Sequence, residues 1–223
     1  MGLAVAVGIL VDVAESDPDS LESFREDFAA ANVALPGEGL PTYDEPETAS
    51  WDPLSFDMYG YSGLHYLRRI AAHLAARNEL PSPGTDEASS DPVLEAYYDA
   101  VTKGWRPFRR SSRIDRRFDH LLVHSDAEGF YVPVEFEDVI FTDDVPGAMI
   151  GSSHVLVREL EELAAALRVP LELDPESDEL WEASEEQGEG DGWKRYGVES
   201  FTCVRLLAAA RASVDRGAAV VFA

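Results

Sequence analysis

Strand-forming residues stand at both ends and at the centre of this chain, with helix-forming residues between them, and that order restricts the fold more than any motif does. Leu3 to Val13 (LAVAVGILVDV) is dense in Val, Ile, Leu and Ala and reads as one buried strand, with Gly8 at a bend. AAVVFA closes the chain as a short apolar strand. In the middle, Phe118 to Phe136 (FDHLLVHSDAEGFYVPVEF) sets two strand-type runs about a polar turn and reads as a β-hairpin, with Gly129 available for positive φ. Helical periodicity accounts for the intervals. Asp17-Pro18 opens a helix with Leu21, Phe24 and Phe28 on one face. Tyr61 to Arg77 carries a stripe of Leu64, Leu67, Ala71 and Leu74, and a shorter helix runs from Val93 to Thr102. HVLVRELEELAAALR and Val198 to Arg216 follow, the last with Gly217 as its left-handed cap. Because strands do not alternate with helices, the expected class is α+β rather than a doubly wound sheet. It comprises a small mixed or antiparallel sheet (N-terminal strand, central hairpin, C-terminal strand) packed with about five helices.

The expected organisation is a single domain over residues 1–223, interrupted three times. Residues 35–60 turn to Pro, Gly, Asp, Glu and Thr and read as an irregular loop anchored by Trp51, Phe56 and Tyr59. Residues 79–117 form a breaker-rich linker and insertion, and residues 174–192 an acidic loop with one helical turn at Leu180-Trp181.

Charge is the compositional feature that bears on function. Eighteen basic residues face 43 acidic ones, a net charge of −25, and only Lys103 and Lys194 are lysines. Such a surface repels nucleic-acid backbone and anionic membrane over most of its area. Lysine depletion beside abundant Asp and Glu fits a salt-rich cytosol, where a Debye length of about 3 Å at 1 M screens the self-repulsion, so a halophilic source is expected. Cys203 is the single cysteine, which excludes an intramolecular disulfide and a cysteine-based zinc site. It lies in the apolar run FTCVRLLAAA and reads as packing. The apolar N-terminus has no preceding Lys or Arg and meets Asp12 and Glu15 too early to span a membrane, so the protein is expected to be cytoplasmic and free of membrane.

Four constellations are candidates for function. At the turn of the expected hairpin, His124, Asp126 and Glu128 supply an imidazole and two carboxylates for acid–base work or a divalent metal, provided that His65 or His154 comes to meet them. On a strand His120 stands about 13 Å from His124 and is not its partner. Ordinary turn chemistry explains the same residues. On the first long helix Tyr61, His65, Arg68 and Arg69 share a face suited to an anionic ligand, or to solvated arginines beside a buried aromatic edge. In PGAMIGSS, Ser152 and Ser153 enter a helix whose free N–H groups suit phosphate or carboxylate, although capping is the simpler role. The fourth is a basic run. Residues 103–117 hold seven of the 18 basic residues and one acid, which leaves 11 basic and 42 acidic residues elsewhere. With Trp105 and Phe108 to stack, the run suits RNA or another polyanion, and internal neutralisation by acidic neighbours is the competing reading.

No G-x-S-x-G, H-E-x-x-H or Walker motif is present. The blocks MGLAVAVGILVDVAESDP, YSGLHYLRR, HLLVHSDAEGFYVPV, VPGAMIGSS and AAARASVDRGAAVVF resemble those of a widespread uncharacterised protein family without an assigned activity. The resemblance supplies no mechanism and no catalytic residues, and the stretch from Asn78 to Arg117 is more individual. The sequence therefore leads to an α+β domain that binds a small molecule or a protein partner without established catalysis. Nucleic acid is not expected as a partner, a homo-oligomer is compatible, and no cofactor is specified. The alternatives are a hydrolase-like enzyme centred on His124, Asp126, Glu128 and His65, and polyanion binding through residues 103–117.

Overall fold

A computed structural model describes residues 3–84, 88–104, 115–125 and 128–222, with backbone alone for residues 61 and 102–104. The chain forms two compact units, the first from residues 1–58, 124–158 and 205–223 and the second from residues 59–123 and 159–204.

The first unit holds the sheet. Strand β1 (Ala4–Val7) pairs antiparallel with β2 (Leu54–Asp57) on one side and with β6 (Val220–Phe222) on the other. Beyond β6 follow β3 (Phe130–Val132), β5 (Met149–Ser152) and β4 (Ile140–Phe141), giving the order β2-β1-β6-β3-β5-β4. Among the described residues only the β3–β5 pair is parallel. Side chains alternate across such a ladder. Ala6, Phe130, Val132, Ile150 and Val221 therefore share one face, which packs with Ile9, Leu10 and Val13 of α1 (Ile9–Ser16) and Phe28, Ala31 and Leu35 of α2 (Leu21–Gly37).

Leu3 to Val13 is thus not one strand. Gly8 adopts φ 83°, and a Cβ there would lie 2.5 Å from the Trp51 ring, so glycine is required. Past it, Ile9, Leu10 and Val13 bury at helical spacing, and the run continues as α1. A second departure is β2, inside the expected loop 35–60. It is a four-residue edge strand whose Phe56 alone is fully buried, so it lacks the apolar run that marks a central strand.

The central hairpin does not form. Phe118, Leu121 and Leu122 are buried at i, i+3 and i+4, and the first arm is the helix α5 (Asp119–Val123) of the second unit. Its orphan N–H groups find a buried side chain: those of His120 and Leu121 donate to the two Glu159 carboxylate oxygens at 2.9 and 2.8 Å. The second arm is β3, which pairs with β5 and β6. The true hairpin is β4–β5, across the Pro146-Gly147 turn.

The second unit is helical. It contains α3 (Gly60–Arg77), which ends on Asn78 in the left-handed conformation, α4 (Pro92–Gly104), α5 and α7 (Asp178–Glu185). Helices α6 (Ser153–Leu167) and α8 (Gly197–Arg216) divide between the units after Arg158 and Val204. Among the described residues, eight α-helices and six strands make the expected α+β class, richer in helix than the sequence indicated. Gly217 has φ 66° and closes α8 as its composition suggests.

Candidate functional site

His124 is only 2% exposed. Its ring stacks on Tyr131 with centroids 4.1 Å apart and lies 5.5 Å from the Phe222 ring. Nδ1 is 3.0 Å from the Ser125 carbonyl oxygen and Nε2 is 3.2 Å from that of Phe130. With both nitrogens against backbone acceptors, the imidazole fills the core rather than facing a ligand. Glu128 is exposed on the following turn, and its N–H lies 3.3 Å from the Ser125 hydroxyl. Asp126 lies outside the described residues. His65 belongs to α3 in the second unit, where it is half-buried. Among the described residues no three His, Cys, Asp or Glu side chains gather as a metal-binding group.

The two arginines of the α3 face are spent internally. Arg68 is buried, and its Nε donates to the Leu121 carbonyl at 2.9 Å. Arg69 reaches Asp91 at 2.8 Å and the Ser82 carbonyl at 2.8 Å. Asp91 in turn lies 3.0 Å from His73 Nε2 and accepts the N–H groups of Val93 and Leu94, capping α4. Burial alone would raise this carboxyl, but Arg69, His73 and the two N–H groups hold it below its ordinary pKa. The side chain of Tyr61 lies outside the described ones. Ser152 and Ser153 are fully buried: the first hydroxyl donates to the Val134 carbonyl at 2.7 Å. The second donates to that of Tyr131 at 3.2 Å and lies 2.6 Å from the Ser213 hydroxyl. These serines fasten the start of α6 to the sheet.

Residues 105–114 of the basic run lie outside the described residues. Its last two arginines are neutralised internally: Arg116 pairs with Asp119, and Arg117 with Asp115 at 3.2 Å and Glu162 at 2.8 Å. Cys203 is buried, with its thiol pushed up to about 12 by desolvation, and it packs 3.5 Å from the Leu160 carbonyl oxygen.

What remains open is acidic. From Glu172 to Asp191 the chain carries ten acids and no basic residue, and every one of the ten is exposed. Eight residues of this stretch form α7, begun by Ser177, whose hydroxyl accepts the Leu180 N–H. Leu180, Ala183 and Ser184 bury one side of the helix, leaving Asp178, Trp181, Glu182 and Glu185 at i, i+3, i+4 and i+7 on an exposed face. At 1.5 Å per residue α7 is about 12 Å long. Its four acids therefore stand one per ~3 Å, close to the one charge per ~3.4 Å of a single DNA strand. Glu179 is paired with Lys194 at 2.7 Å; among the described residues Asp178, Glu182 and Glu185 have no basic group within ion-pair distance. The sequence marked this stretch as an acidic loop. The missed signal was periodic: DELWEASE repeats acids at three- and four-residue spacing after a Ser cap.

Not every acid belongs to this class. Asp119, Glu159 and Glu199 are buried, and Glu199 accepts the Gly84 N–H at 2.8 Å and the Gln187 amide at 2.7 Å while desolvation raises its pKa. These carboxylates hold the fold together. No helix among the described residues is long and apolar enough to cross a membrane.

Comparison with known proteins adds one finding. The family model described as "Putative DNA-mimic protein" matches residues 1–222. No curated protein and no solved structure matches the chain. The description fits neither the hydrolase nor the polyanion-binding alternative, and it overturns the expected small-molecule partner. That expectation rests on polar groups at the turn, where the structure commits the His124 and Ser125 side chains to backbone groups.

Proposed function

The chain belongs to the family described as "Putative DNA-mimic protein", and we propose that it binds a DNA-binding protein by presenting the carboxylates of α7 and its flanking loops where that protein receives phosphates. One observation carries the reading: ten exposed acids run from Glu172 to Asp191 without a basic residue, at a line density on α7 close to that of one DNA strand. A carboxylate carries one negative charge and accepts the same Arg and Lys donors as a phosphate oxygen. A helix spaces such groups rigidly, at little ordering cost on binding. The net charge of −25 adds a long-range field that speeds encounter with a basic face. No catalytic group is required.

Adaptation to molar salt is a second account of the acidity, favoured by the presence of only two lysines. The two accounts part on one measurement. A fluorescent DNA duplex is bound in turn to a panel of purified DNA-binding proteins, and the chain is added at 50 and 200 mM salt. Mimicry predicts that DNA is displaced from at least one of them, more weakly at the higher salt, while the chain binds no DNA itself. Failure to displace DNA from any of them at 50 mM would remove the proposal.

A further inference from the structure

Trp181 is the exposed aromatic at the centre of this acidic face, with 48% of its surface open. It is not mobile decoration. Its ring meets Phe201 edge-on at 5.7 Å and 67°, and Phe201 is buried. The indole is thus held in place while its remaining surface faces outward, framed by Asp178, Glu182 and Glu185 on the same helical face. The other described tryptophans show what such a ring takes. Arg216 lies 4.9 Å from the centroid of Trp51, and Lys194 lies 5.7 Å from that of Trp193. Among the described residues no cation covers Trp181.

We infer that Trp181 and its three carboxylates form a receptor for an arginine side chain of the DNA-binding partner, with the guanidinium stacked on the indole and its N–H groups donating to the flanking acids. The inference rests on the mimic reading and adds to it a contact that phosphate does not offer. A guanidinium is planar, weakly hydrated and stacks on aromatic faces, whereas an ammonium is a compact, strongly hydrated charge. The receptor therefore prefers Arg to Lys at equal charge. Arginine and tryptophan are also the side chains that most often dominate interface energies. Carboxylates alone give an attraction that salt screens, whereas the stacked ring contributes a short-range contact that salt weakens much less.

The test uses the full chain and two synthetic peptides of equal length and charge, octa-arginine and octa-lysine, titrated at low and moderate salt. Octa-arginine is expected to bind about five-fold more tightly, with a change in tryptophan emission that Trp181→Phe reduces. Trp181→Ala is expected to bring the Arg-to-Lys ratio to about one without changing the salt slope, and Trp181→Phe to keep part of the preference. Replacing Asp178, Glu182 and Glu185 by their amides is expected to weaken both peptides and flatten the slope. If both peptides bind in a salt-dependent way but the ratio starts near one or survives Trp181→Ala, the arginine receptor is wrong and the mimic reading stands. If neither peptide binds at low salt, both fall together.

Discussion

The turn from His124 to Phe130 and the helix α7 are both short polar stretches rich in groups that could do chemistry, and they dispose of those groups in opposite ways. At the turn, His124 is stacked on Tyr131 and faces two carbonyl oxygens, and the Ser125 N–H lies 3.0 Å from the Met149 sulfur. Gly129 takes φ 94° where a Cβ would come within 3.0 Å of the Pro146 carbonyl oxygen. The side chains there that the structure describes are largely spent on holding the sheet. On α7 the acidic side chains point outward, and among the described residues three of them, with an indole between them, have no basic group within ion-pair distance. Polarity alone does not mark a site. Polarity that the fold leaves unused is what the proposed function draws on.

The contrast can be broken most forcefully from the buried side. Tyr131→Ala empties a fully buried position beneath His124 and should cost about 4 kcal/mol, read as a lower denaturant midpoint. A cost under about 1 kcal/mol would mean that this corner is not core. DNA displacement by the fraction still folded should be unchanged.

Glu45, unlike the acids of α7, is a carboxyl that the fold does use. Its carboxylate accepts the Ala219 N–H at 2.7 Å, and desolvation raises its pKa to about 7 from 4.5, against the lowering effect of that N–H and of Tyr43. A carboxyl with a raised folded pKa is protonated more readily in the fold than in the unfolded chain. Its contribution is therefore full below pH 4.5 and is lost as pH rises through 7. The loss amounts to at most about 3 kcal/mol. Glu45→Gln keeps an acceptor for Ala219 and should flatten the stability profile between pH 5 and 8. Denaturation of both proteins at those two pH values decides it, and an equal pH dependence in the variant removes the role.

The smallest effect on stability is expected on α7. The triple amide variant at Asp178, Glu182 and Glu185 should shift stability by less than about 0.5 kcal/mol, since these groups are exposed and, among the described residues, outside ion-pair distance of any basic group. Yet it should weaken DNA displacement about ten-fold or more, in line with two or three lost charge contacts. Equal displacement by the variant would move the binding face elsewhere on the acidic surface.

Much was legible from residues alone. The α+β class followed from strand-forming ends and a strand-forming middle, and helices α3, α6 and α8 announced themselves through 3.6-residue stripes and terminal caps. Local strand-like runs were less decisive. FDHLLV suits strand and helix equally, and its outcome was settled by Glu159, distant in sequence, accepting the N–H groups that a helix start leaves open. LAVAVGILV was divided by Trp51, which closes the space beside Gly8. The charge, the lone cysteine and the absence of reaction motifs were properties of composition, and composition needs no fold. Which acids are structural and which are free to meet a partner was not. Glu159 and Glu182 look alike in the chain, and only tertiary packing takes the first out of water and leaves the second in it. Burial depends on neighbours brought from far along the sequence, and so does the exposure of the α7 acids on which the proposed binding rests.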